Sequence, residues 1–213
     1  MSSLQAMRAP MIGLGLLAGL PLCGLVSQDP VLAWAWAGVV APAAGALASG
    51  AERPGAPVWR PWLTGLVAAL VLGLALPGLP SVGGALGAVA GLAGLGWGLG
   101  LWAGERRGAL AIGLFVAAAL SAVLPGLGGV LGDAPWAPEV AAGLLRASPA
   151  TFVVESGGVD WLRHSAIYDP VGGDSIGPSL HQAWGSLAGL APGVVGFGVA
   201  ALWLALRRAP KCD

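Results

Sequence analysis

Apolar residues in this chain come in long unbroken blocks with short polar punctuation between them. Six blocks of about 18 residues or more carry no charged side chain, the length that marks a membrane-spanning helix. They fall at 10–28, 31–50, 62–79, 81–103, 108–131 and 184–206. Lipid offers the backbone no hydrogen-bond partners, so each block is expected to be a helix that satisfies its own amides. The third and fourth blocks are parted only by Pro-Gly-Leu-Pro-Ser at 77–81. Two prolines and a glycine in five residues predict a tight turn, hence a hairpin rather than one long helix.

The polar punctuation is asymmetric. If the N-terminus is cytoplasmic, one side of the membrane holds Arg8, Arg53, Arg60, Arg106, Arg107, Arg207, Arg208 and Lys211, and the other holds Arg146 and Arg163. Basic residues collect on the cytoplasmic side, so both termini are placed there. Acidic residues divide the opposite way: Asp29, Asp133, Glu139, Glu155, Asp160, Asp169 and Asp174 fall outside, and Glu52, Glu105 and Asp213 inside. Tryptophans sit near span ends as an interfacial belt would have them, Trp59, Trp62, Trp102 and Trp203 inside, Trp34 and Trp184 outside. The first block, with its basic start and the small-x-small triplets at 33–37, also resembles a cleavable signal peptide. Cleavage would leave five spans; the block is expected to be retained. Cys23 is not read as a lipid-attachment site, because Pro21 and Leu22 before it are not small.

Composition agrees with the pattern. Of 213 residues 56% are hydrophobic and 9% charged, with a mean hydropathy of +0.81. A soluble domain is about a quarter charged, so this chain cannot cover itself in water. A formal net charge of zero argues against a nucleic-acid partner. Cys23 and Cys212, on opposite sides of the membrane, make no disulfide framework. The expected fold is all-α: a polytopic bundle of six transmembrane helices, N-in and C-in, in the cell (inner) membrane. Residues 1–132 form five spans, 133–183 an extracytoplasmic polar loop with short helices, and 184–213 the sixth span and a short basic tail.

The 37 glycines would weaken a soluble helix, but in lipid small residues let helix backbones approach. Small residues recur at intervals of four at Gly15 and Gly19, along Gly65, Ala69 and Gly73, along Ala109, Gly113, Ala117 and Ser121, and along Gly185, Gly189 and Gly193. The fourth block is the extreme case. Gly83, Gly87, Gly91, Gly94 and Gly98 step along one face, and Gly96, Gly100 and Gly104 along another. Two small faces imply two neighbours, so this span belongs at the bundle centre or at a dimer interface. Pro42 and Pro192 lie inside spans, and Pro125 with the following Gly-Leu-Gly-Gly predicts a broken end to the fifth.

No Asp, Glu, Lys, Arg or His lies within any of the six blocks. Such residues mark proton relays and ion-coupled transport, so an ion-driven transporter, a haem subunit and an intramembrane protease are all disfavoured. The polar chemistry is concentrated in the outer loop. Pro138 and Glu139 open one short helix, with Val140, Leu144 and Leu145 on one face. Ser148 at the cap, Pro149 at the first position and Gly157 as a stop frame a second. Asp160 would cap a third. These helices are expected on the outer face of the bundle, dipping into it at most.

Asp160 and His164 are four apart, on one helix face, and with Asp169, Asp174 or His181 they have the spacing of metal ligands. Short acidic loops produce such spacing easily. The plainer account is taken: Asp160 caps, Arg163 pairs with Glu155 or Asp169, and His164 lies at the surface. No metal, cofactor or catalytic residue is expected, and the chain is not read as an enzyme. Trp161, Arg163 and Tyr168 are read as a partner-docking surface of the loop.

Six spans, cytoplasmic termini, the Leu-Pro-Gly-Leu-Gly-Gly end of span five and an outer loop of short helices before span six resemble ABC-2-type transport permeases. That resemblance is one of layout and covers the whole chain; the tail before span one is too short for the family's amphipathic interface helix. It implies a membrane subunit of an ATP-driven export complex, a homodimer, and a cytoplasmic ATPase docked on the inner loop through Glu52, Arg53 and Arg60. The alternative is a structural or assembly subunit that docks other membrane subunits through 133–183.

Overall fold

The computed structural model describes residues 29–51, 78–130, 138–160 and 188–208. Block 10–28, with Cys23, and residues 62–77 of the third block lie outside the described residues. Those described are helical, without strands. The helices are α1 (Pro30–Ala48), α2 (Val82–Ala103), α3 (Arg107–Val130), α4 (Pro138–Ala147), α5 (Pro149–Ser156) and α6 (Ala191–Arg208), with 3₁₀ turns at Ser49–Ala51, Gly104–Arg106 and Ala188–Leu190. Three stretches are long and apolar enough to cross a membrane: Pro30–Ala48, Val82–Ala122 and Ala188–Leu206. The second, 41 residues long, is two helices, because Gly104 with φ of +55° ends α2, a left-handed backbone that glycine adopts without a Cβ penalty.

Local chemistry fixes the helix starts. Asp29 Oδ1 accepts from the Val31 amide at 2.9 Å and Pro30 takes the first position of α1. Ser81 Oγ accepts from the Gly84 amide at 3.2 Å and caps α2. Each satisfies a donor that has no partner in the first turn. Pro192 is the second residue of α6. It lies within the apolar stretch Ala188–Leu206, as expected, but the 3₁₀ turn before it sets the α-helix start at Ala191, where a missing amide is harmless. The expected break at Pro125 does not occur, as α3 runs helical through it to Val130. One lost hydrogen bond does not end a helix whose other amides have nowhere else to bond.

The direction of each helix follows from its pairings. On α1 and α2, Pro42 meets Gly96, and Ala46 meets Gly100, so they run parallel. On α2 and α6, Ala88 meets Gly189, and the Trp102 indole donates to the Val199 carbonyl at 2.8 Å, so they too run parallel. On α1 and α3 the order inverts. Gly50 lies against the Arg107 side chain, Ala43 and Ala46 share a cluster with Ala111, and the Trp36 ring meets Phe115 edge-on at 5.8 Å. One end of the described bundle therefore carries Ser49 and Glu105–Arg107 and the end of α6 at Arg207 and Arg208. The other carries Asp29, Ser81, Glu155 and Asp160.

α2 lies between α1 and α6, and its two glycine faces do different work. Gly91, Gly94 and Gly98 abut the backbone of Gly189, Gly193 and Gly196, and Gly87 faces Leu190. Gly96 and Gly100 abut the backbone of Pro42 and Ala46 on the opposite side. Two expected members fall away: a Cβ on Gly83 or Gly104 would meet nothing within 4 Å. Trp34 differs as well. It is fully buried in the core with Val39, Val89 and Phe152 and does not form part of an interfacial belt. Large aliphatic side chains face outward from α3 (Ile112, Val116, Leu120) and α6 (Val194, Val195, Leu202, Leu206). An apolar surface of that extent is excluded from water.

Candidate functional site

The polar loop delivers one element into the bundle. α4 lies on α3, with Leu145 in the same core cluster as Ala118. The chain turns at Ser148, and α5 runs back between α1 and α2. At its start the Pro149 carbonyl packs on Gly38 of α1, which lies eight residues, roughly 12 Å of helix, past Pro30. At its end the Ser156 carbonyl packs on Gly84, in the first turn of α2. The Ser81 amide donates to the Gly157 carbonyl at 2.8 Å and ties the two loops together. Gly158, at φ +81°, supplies the left-handed turn that ends the element.

The sequence explains why this helix is taken inside. Ala150, Phe152, Val153 and Val154 give it an apolar face that is wide for so short a helix, and such a face is buried against neighbours. All eight of its residues but Pro149 are buried. At eight residues it is too short to cross a membrane and marginal as an isolated helix, so its stability comes from α1 and α2.

Four polar side chains are carried in with it. Ser148, Thr151, Glu155 and Ser156 are 1%, 4%, 6% and 2% exposed. Among the described residues, Ser148 Oγ, Thr151 Oγ1, Glu155 Oε2 and Ser156 Oγ have no hydrogen-bond partner. Ser148 holds the cap position, as its sequence context predicts, but its hydroxyl makes no cap bond. A buried polar group left unpaired costs about 1–3 kcal/mol, so this row is an expensive arrangement for a purely structural helix. Burial pushes the Glu155 carboxyl up from its ordinary 4.5 to about 7, and the nearby Asp160 charge adds to the rise.

Sequence reasoning did not single out Glu155 except as a partner for Arg163. The available signal was the apolar run before it, Ala-Thr-Phe-Val-Val, which is too evenly apolar for a surface helix. Asp160 follows α5 at the acidic end of the bundle, half-buried, and its charge acts on Glu155. His164, Trp161, Arg163 and Tyr168, and the inner-loop residues Glu52, Arg53 and Arg60, lie outside the described residues. Among the described residues no three His, Cys, Asp or Glu gather as metal ligands would. No protein-family model, curated protein or solved structure matches the chain.

Proposed function

We propose that this chain is the membrane-spanning permease subunit of an ATP-driven export complex in a cell membrane, working as a pair of copies with a cytoplasmic ATPase. The observation that carries the reading is α5, a short helix of the loop before the last apolar helix, packed inside the bundle with polar side chains on it. Such a helix gives solute a polar surface at half-depth without an ionisable group in any spanning helix, which suits a pump driven by a partner rather than by an ion gradient. The helix directions support it too: α1, α2 and α6 run one way and α3 the other, as alternating spans of a layout like that of ABC-2 permeases require. The end with Arg106, Arg107, Arg207 and Arg208 is then cytoplasmic by the basic-residue rule. Energy enters through the loop at 52–60, with Glu52, Arg53 and Arg60 touching the ATPase.

A second reading draws on the outward aliphatic rows of α3 and α6. A surface of that kind also suits an assembly subunit held among other membrane subunits. Mild-detergent purification of the tagged protein, with mass spectrometry of what accompanies it, separates the two. The expected companion is a nucleotide-binding ATPase in stoichiometric amount, lost on Arg53→Ala together with Arg60→Ala. Recovery of other membrane or extracytoplasmic subunits without an ATPase would replace export with assembly.

A further inference from the structure

The polar atoms of α5 form a track. Ser148, Thr151 and Glu155 are spaced three and four apart, which sets them on one side of the helix over about 10 Å. Ser156 adjoins that row, while Val153 points the opposite way. Every group in it is an oxygen, and the three hydroxyls and Glu155 Oε2 have no partner among the described residues. At the deep end the helix packs on Gly38, whose carbonyl is denied its helical donor because Pro42 has no amide. Among the described residues the charges at this end of the bundle are acidic: Asp29 at the head of α1, Asp160 after α5, and Glu155 itself. The first turn of α2 carries none, and the one described basic residue nearby, Arg146 in the last turn of α4, is exposed.

We propose that this face of α5 is a binding site for a small monovalent cation or a protonated amine, reached from the end of the bundle that holds Asp29 and Asp160, and closed in the conformation described. Hydroxyl, carboxylate and carbonyl oxygens are what hard cations and ammonium groups take in place of water. A single carboxylate within the row matches a single positive charge; the several carboxylates that a divalent ion gathers are not present among the described residues. An anion could take hydrogen bonds from the hydroxyls but would be repelled by the Glu155 carboxylate and the Asp160 charge beside it. The closed state leaves the oxygens unpaired, so a bound cation is favoured by each group it satisfies. The proposal rests on the export reading for its role as a solute site, but not for binding itself.

Two measurements test it. The wild-type protein in detergent is heated in sodium, potassium or methylammonium chloride, with N-methylglucamine chloride at equal ionic strength as reference. A ligand that binds only the folded state raises the unfolding midpoint with concentration. The expected result is a rise with at least one of the three and no rise in Glu155→Gln; which salt acts separates an alkali-cation site from an amine site. The second uses Cys23→Ser, Cys212→Ser protein carrying Ser148→Cys or Thr151→Cys. Membrane-impermeant cationic and anionic methanethiosulfonates are added from outside, with Val140→Cys as the exposed control and Val153→Cys as the buried one. Thr151→Cys is expected to favour the cationic reagent by about tenfold more than Val140→Cys does, the order of effect one partly buried opposite charge exerts. Adding Glu155→Gln should abolish that preference, and Val153→Cys should stay unreactive. Absence of both the thermal shift and any labelling at 148 and 151 overturns the proposal, as does equal labelling by the two reagents. An ATPase missing from co-purification would sink the export reading and leave these results standing.

Discussion

Glu155 is the residue at which sequence and environment conflict most. An ordinary carboxylate with value 4.5 is held in a site that raises it to about 7, first by burial and then by the Asp160 charge. The sign follows from linkage: the folded state binds the proton more tightly than the unfolded one. Stability from this group is therefore full below pH 4.5, falls as pH rises from 4.5 through about 7, and is level above. The unfolding midpoint of the wild-type protein should drop between pH 5 and 7.5, and Glu155→Gln should flatten that drop. An equal slope in both proteins would mean that Glu155 is solvated in the folded state. The hydroxyls of Ser148, Thr151 and Ser156 do not titrate, so their replacement by Ala should leave the slope alone.

Between elements, what matters is how closely backbones approach. α1 and α2 touch backbone to backbone where Gly96 meets Pro42, and Gly100 meets the Ala46 backbone and the Ser49 hydroxyl. Lipid tails give helices no hydrophobic reason to associate, so this contact and its mirror on α6 are what hold α2 in place. Gly96→Leu must push α1 away and should cost about 1–3 kcal/mol or prevent folding, as overpacking does. Gly83→Ala, with nothing within 4 Å of the added methyl, should be neutral or gain up to about 1 kcal/mol from reduced backbone freedom. Size-exclusion profiles after a heating series distinguish the two. Equal loss in both would mean that backbone flexibility, and not close approach, is what glycine supplies to α2.

The same contacts mark how far the sequence could be read. Steps of three and four along Gly87, Gly91, Gly94 and Gly98 were legible because helical periodicity converts spacing into a face. Gly83 and Gly104 continue the spacing but lie at the helix ends, where no neighbour reaches, and spacing does not encode that. The break expected at Pro125 does not occur, because a proline's effect depends on what else its neighbours can bond to. The depth of α5 was not legible from a rule that looks for long apolar runs, since eight residues fall below any such threshold.

For the molecule as a whole, the described helices make one bundle with a basic end and an acidic end, and the loop before α6 is partly built into it. A loop helix resting on the bundle's outer face could leave without disturbing the spans, whereas α5 packs on both α1 and α2. Its packing makes it a part of the membrane unit, and the candidate site exists only because of that. Hydrogen exchange read by mass spectrometry, on the protein in lipid nanodiscs, tests this most directly. An eight-residue helix exposed to water frays and exchanges fast, while one buried against α1 and α2 opens only with them. The expected result is protection of 150–156 comparable to that of 86–100 in α2. Exchange of 150–156 as fast as an exposed loop, with α2 still protected, would contradict the account, because α5 would then lie outside the bundle.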